Sequence, residues 1–138
     1  MPKILIADDN AYMRKAMSRL LKKRGHIVDT ACNGREAAMK IIRNEKSERY
    51  YDILITDLMM PDIDGFKLVE MVRQNAKPLG IIAITGGGGN VDAQDALDMI
   101  KPYIDQSLAK PFKHEDFIVA VENAVKKHWR RMSASMQT

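Results

Sequence analysis

Three aspartates, a threonine and a lysine carry the chemistry available to this sequence. Asp8 and Asp9 follow the mainly apolar run Lys3–Ala7, and Asp57 follows Asp52–Thr56. Thr85 closes the run Gly80–Thr85, and Lys110 follows Gln106–Ala109. If these runs are parallel strands, all of these side chains leave the sheet at its carboxyl edge, where ligands of open α/β sheets bind. Carboxylates gathered there repel: a pair ~5 Å apart costs about 3 kcal/mol at an effective dielectric of about 20. A hard divalent cation relieves that cost, and an oxygen shell with room for water and phosphate suits Mg²⁺. Acids at strand ends also act as helix N-caps, so a single Asp would say little. Here three acids, an amine and a hydroxyl fall at matching strand ends.

The elements that must position them can be read from the periodicity. Lys3–Ala7, His26–Ala31, Asp52–Thr56, Gly80–Thr85 and Gln106–Ala109 read as strands, most of them apolar throughout, as in strands buried on both faces. Between them lie stretches of helical period. Met13, Ala16, Met17, Leu20 and Leu21 form one face, ended by Gly25. Ala37, Ala38, Ile41 and Ile42 form the next, and Phe66, Leu68, Val69 and Val72 a third. Leu97 and Ile100 point inward from a helix over Val91–Lys101, and Phe117, Ile118, Val121, Ala124 and Val125 from the last one. Strands alternating with helices predict a parallel sheet covered on both faces.

Composition narrows the class. The chain has 138 residues, 46% hydrophobic and 29% charged, with a net charge of +4, and it fits a single globular domain. No apolar run approaches the roughly 18 residues of a membrane helix, and "MPKILIADDN" does not fit a signal peptide. The expected location is cytoplasmic, with Cys32 a buried thiol. The scattered His26, His114 and His128 suit surface or boundary positions, and the ten methionines mostly core spacing. Trp129 suits a partner anchor or a cap of the last helix. Basic residues crowd two segments, Arg14 to Arg24 and Lys126 to Arg131, which suits solvated helix faces or a docking surface. "SASMQT" reads as a frayed end after a domain over residues 1–126 and a helix end beyond it.

The motifs together resemble a known family. "DD" after the first strand, "TDLMMPDIDG" around the third, "T" with a small residue after the fourth and "KPF" after the fifth are similar to the receiver domains of two-component response regulators. The resemblance spans about residues 3–125. It implies a flavodoxin-like (βα)5 three-layer fold with a parallel five-stranded sheet in the order 2-1-3-4-5. It also implies that Asp57 accepts a phosphoryl group from a histidine kinase or histidine phosphotransfer protein. Asp8 and Asp9 match the metal-binding pair, with the Met59 backbone carbonyl a further Mg²⁺ ligand. Thr85 matches the hydroxyl that turns toward the phosphoryl group, and Lys110 the amine that pairs with its oxygens. Pro111 would follow Lys110 through a cis bond. The implied partner downstream is another protein, with no direct nucleic-acid or membrane contact, and the chain would be a monomer or weak dimer. It would stand alone or be a receiver fragment of a longer regulator.

Two features depart from that pattern. Many receivers carry an aromatic three positions before the lysine, where this chain has Ser107; Tyr103 lies seven positions before Lys110. The loop "TGGGG", with Gly86 and Gly87 beside Thr85, lacks the Lys-Ser/Thr of a nucleotide-binding loop and reads as a soft segment beside a phosphoryl site. Other readings stay open at this point. A haloacid-dehalogenase-type, Mg²⁺-dependent phosphatase also uses a strand-end Asp, but it needs a general acid where Met59 stands. A flavin carrier would meet an acidic pocket, and a nucleic-acid module would need interleaved aromatic and basic residues.

Overall fold

The strands are short, the first, third and fourth mainly apolar, and the first three helices each start at a polar side chain. In a computed structural model of the chain, all residues are described except Glu48, 61–63, 75–77, 87–90 and Thr138; for 91–93, 96, 136 and 137 only the backbone is described. The elements run β1 (Lys3–Ala7), α1 (Ala11–Lys23), β2 (Ile27–Ala31), α2 (Gly34–Glu45), β3 (Ile53–Asp57), α3 (Gly65–Arg73), β4 (Gly80–Thr85), α4 (Val91–Ile100), a 3-10 turn (Lys101–Tyr103), β5 (Gln106–Ala109) and α5 (His114–Gln137). All neighbouring strands are parallel, in the order β2-β1-β3-β4-β5. This is the flavodoxin-like receiver architecture that the sequence led us to expect.

Local chemistry explains the boundaries. Asn10 caps α1 by accepting the Met13 N–H, Asn33 caps α2 by accepting that of Glu36, and Asp64 caps α3 by accepting that of Lys67. Gly25 ends α1 at φ +88°, the left-handed conformation a glycine adopts without penalty.

Strand alternation splits the core into two layers. Ile4, Ile6, Ile53, Ile55 and Ile82 face Met17 and Leu21 of α1 and Phe117 and Val121 of α5. Leu5, Leu54 and Ile81 face Ala37 and Ile41 of α2 and Leu68 and Val72 of α3. Fully burying each such side chain contributes about 1.5–3 kcal/mol, so both layers hold the strand ends in register.

Several expectations need correction. Ile42 is 55% exposed, because it lies at the rim of the groove between α2 and α3 rather than on the stripe. Met39, Met59, Met71 and Met99 are exposed, whereas Met17 and Met60 are buried, so methionine spacing misjudged the core. Cys32 is exposed, one residue beyond the edge strand β2, and its thiol donates to Glu36 Oε2 at 2.8 Å. His128 is buried, because α5 crosses the lower edge of the sheet and sets its Nε2 3.3 Å from Asp52 Oδ1. The end expected to fray at "SASMQT" continues α5 through Gln137.

Candidate functional site

β1 and β3 are adjacent; Asp8 and Asp9 follow β1, and Asp57 ends β3. Asp8 is fully buried, Asp57 is 6% exposed, and Asp9 lies at the surface. Each of the three offers an oxygen within 4.8 Å of the others'. Asp8 is pinned on three sides. Its N–H donates to the Ala31 carbonyl at 3.1 Å, its Oδ1 accepts the Asn10 N–H at 2.9 Å, and its carbonyl accepts from Arg14 Nη1 at 2.7 Å. Asp57 Oδ1 accepts the Met59 N–H at 2.9 Å, which leaves Oδ2 toward the cluster. Glycine is required at 65, since a Cβ there would run into the Asp57 carbonyl oxygen and Leu58 Cα.

The cation arrives from the far edge. Lys110 Nζ lies 2.9 Å from Asp57 Oδ2 and 3.3 Å from Asp8 Oδ2. The Lys110 N–H donates to the Thr85 carbonyl at 2.8 Å, which ties the end of β5 to that of β4. The Lys110–Pro111 peptide is cis. Burial pushes the Asp8 carboxyl above its ordinary value, against the Asn10 N–H and the Lys110 charge, which pull it down. Desolvation works against the Lys110 ammonium, yet its hydrogen bond to Asp57 and the charges of Asp57 and Asp8 hold it above the ordinary lysine value. Three carboxylates against one ammonium leave excess negative charge in a partly buried pocket. That hard-oxygen donor set fits Mg²⁺.

The remaining expected residues lie around this centre. Thr85 Oγ1 sits 3.4 Å from the Leu108 carbonyl, a long contact that leaves the hydroxyl weakly held. Gly86 has open space where a Cβ would be; Gly87 lies outside the described residues. Ser107 is exposed and pairs in register with Ala83. Tyr103 does not approach Thr85's strand end but stacks under the Arg73 guanidinium, 3.4 Å from ring centroid to Cζ. Sequence reasoning missed Asn10 and Arg14 as supports of Asp8. The only available signal was position, since one helical turn separates Arg14 from the strand end.

A family model for the response regulator receiver domain matches residues 4–122. The chain belongs to the response regulator receiver family. Among curated relatives of this receiver, the 3',5'-cyclic-nucleotide phosphodiesterase regA of Dictyostelium discoideum is 34% identical over 94% of this chain and 16% of its own length. The transcriptional regulatory protein ResD of Bacillus subtilis is 30% identical over 87% of this chain and 46% of its own length. The receiver thus spans half or less of these relatives. Among solved structures, a receiver domain protein from Clostridium thermocellum has a TM-score of 0.79 at 28% identity, covering 92% of this chain and 96% of that one. The chemotaxis response regulator CheY4 of Vibrio cholerae has a TM-score of 0.72 at 28% identity, covering 90% of this chain and 98% of its own.

Proposed function

We propose that this receiver is a phosphoryl-accepting switch, with Asp57 as acceptor and a phosphohistidine of a kinase or phosphotransfer protein as donor. The observation that carries the reading is the contact of Lys110 with both Asp57 and Asp8 inside the three-carboxylate cluster. A carboxylate is a poor nucleophile toward a phosphoryl group unless nearby charge is offset, and phosphoryl transfer is chiefly a matter of positioning and electrostatics. In the reaction an Asp57 oxygen forms the new bond to phosphorus as the phosphorus–nitrogen bond breaks, and the electron pair leaves with the donor imidazole. Asp8, Asp9, Asp57 and the Met59 carbonyl would hold Mg²⁺, which supplies charge neutralisation to the phosphoryl oxygens. Lys110 pairs with those oxygens from the other side, and the Met59 N–H orients the acceptor carboxylate.

Thr85 then reads the modification. A hydrogen bond from its hydroxyl to the charged phosphoryl group contributes about 1.5–3 kcal/mol, enough to bias a loop but short of the ~5.5 kcal/mol of a complete swing between two states. With Ser107 at the usual aromatic position, the response is carried by the Thr85 loop itself toward a protein target. Incubation with acetyl phosphate and Mg²⁺ should give a single phosphoryl adduct in the intact mass, absent in Asp57→Asn. An adduct that survives Asp57→Asn overturns the reading, and steady turnover of many phosphate esters would favour a phosphatase instead.

A further inference from the structure

Positive charge is concentrated along the open edge of β2, and of these cations Arg14 and Lys40 also touch other elements, Arg14 through the Asp8 carbonyl and Lys40 through Thr30 and Glu36. β2 ends the sheet, so one side of its backbone meets no strand. The Ile27 N–H donates inward to the Pro2 carbonyl, and the Ala31 carbonyl accepts inward from Asp8. Strand alternation therefore turns the N–H and C=O groups of Val28 and Thr30 outward. The Thr30 carbonyl is held by the Lys40 ammonium, which reaches over the edge from α2. The other outward groups form an unpaired edge of the kind that accepts an added strand.

A cleft of about 810 Å³ lies beside this edge, lined by Arg14, Lys15, Arg19, Lys22 and Lys23 of α1 together with Lys40. On α1 the cations fall into two rows, Arg14 with Lys22 and Lys15 with Arg19 and Lys23, in steps of one or two helical turns. Like charges at the one-turn spacing destabilise a helix. Among the described residues no carboxylate pairs with the α1 cations of this cleft; the ion pairs formed involve Arg24, Lys40, Lys101, Lys110 and Arg131. Among the described lining residues Asp29 is the one acid, and it accepts the Tyr51 hydroxyl at 2.6 Å. The charge of the α1 cations in this cleft is thus without an ion-pair partner among the described residues.

We propose that the α1–β2 edge docks an extended acidic segment of a partner protein. The segment adds a strand to β2 through the outward N–H and C=O of Val28 and the N–H of Thr30, and its carboxylates pair with Lys15, Arg19, Lys22 and Lys23. An unpaired backbone edge is satisfied by a peptide strand rather than by a nucleic acid or a lipid surface. Among the described residues, no aromatic side chain lines the cleft on which a base could stack. The surface does not include Asp57, so docking is independent of phosphoryl acceptance.

The test uses the full chain and a synthetic peptide of about eight residues alternating Glu with Val, beside its Gln-for-Glu counterpart. At low salt the acidic peptide should shift the amide NMR signals of Val28, Thr30 and α1, and the neutral peptide should bind at least about tenfold more weakly. The variant Lys15→Glu/Arg19→Glu/Lys23→Glu, altered only at exposed positions, should lose at least about tenfold in affinity while still forming the acetyl phosphate adduct. Asp57→Asn should bind the peptide like the parent chain. Equal binding of both peptides, or shifts away from β2, would overturn the proposal. So would tighter binding of single-stranded oligothymidylate, or of phosphatidylserine vesicles, lost in the same triple variant.

Discussion

At the scale of single residues, Lys110 is the position on which the site's electrostatics turn. Its ammonium sits between Asp57 and Asp8, where it steadies both carboxylates, and in the proposed reaction it would also meet the incoming phosphoryl group. Lys110→Ala should leave Mg²⁺ binding by calorimetry largely intact, because the oxygen ligands remain. The rate of adduct formation from acetyl phosphate should fall about 10²-fold, the usual cost of losing one charged stabiliser. Retention of the parent rate would remove Lys110 from the chemistry. A second residue-scale test concerns Cys32. The Cys32 thiol and N–H both donate to Glu36, and these bonds hold the Glu36 carboxyl at about 2, below its ordinary 4.5. A depressed carboxylate stabilises the fold fully above 4.5, and that contribution fades as pH falls toward about 2. The same hydrogen bond, with smaller help from burial and Glu36's charge, pushes the thiol above its ordinary value. Glu36→Gln should therefore speed reaction of Cys32 with a disulfide reagent at pH 8, read by absorbance, and should flatten the acid limb of the stability profile. An unchanged thiol rate would show that Glu36 does not hold the proton.

At the scale of elements, the helix starts carry the burden of placing functional groups. Gly65 opens α3 against the backbone of Asp57 and Leu58, and its N–H donates to the Leu58 carbonyl at 3.2 Å. Gly65→Ala forces α3 away from β3, and we expect it to cost about 2–4 kcal/mol of stability in urea unfolding. Adduct formation should slow along with it, since Asp57 shifts. Asn33 tests the same logic away from the site: Asn33→Ala removes the cap of α2 and should cost about 1 kcal/mol without slowing the adduct. A slowed adduct in Asn33→Ala would mean that α2 communicates with the acceptor edge. Strand periods and glycine stops were legible along the chain, because apolar runs bounded by Asp, Asn and Gly admit few alternatives. The helix faces were less so: Ile42 and Met39 share α2 with its core stripe yet are exposed, since which side a rim residue takes depends on the neighbouring helix.

At the scale of the whole molecule, the distal half of α5 closes the edge of the sheet opposite the acids. Arg131 grips Asp105 through two bonds of 2.7 and 3.1 Å, Lys127 donates to the Asp105 carbonyl, and His128 meets Asp52. Asp105 in turn accepts the Ile81 N–H, and Asp52 the Lys3 N–H, so both acids anchor the starts of strands. Deleting residues 127–138 leaves these carboxylates without their partners on α5 and should cost roughly 1–3 kcal/mol, discounted for the exposure of Arg131. Urea unfolding reads the loss, and adduct formation should survive it, because the carboxylate cluster lies at the other end of the strands. Unchanged stability would show that the domain is complete at Lys126.

Sequence alone determined the strand ends, and with them the meeting of Asp8, Asp9, Asp57, Thr85 and Lys110 on one edge. Parallel strands with apolar interiors have one register that buries them, and that register aligns whatever follows each strand. Only the tertiary structure decided what lies across elements distant in the chain: Arg14 supporting the carbonyl of Asp8, Tyr103 turned to Arg73 and away from Thr85, and the clasp of α5 on Asp52 and Asp105. Those contacts depend on helix rotation and on side-chain reach between packed elements, which no local spacing encodes. The same holds for charge. The sequence shows a run of cations on α1, and the open edge of β2 beside them becomes visible only once the strand order is known.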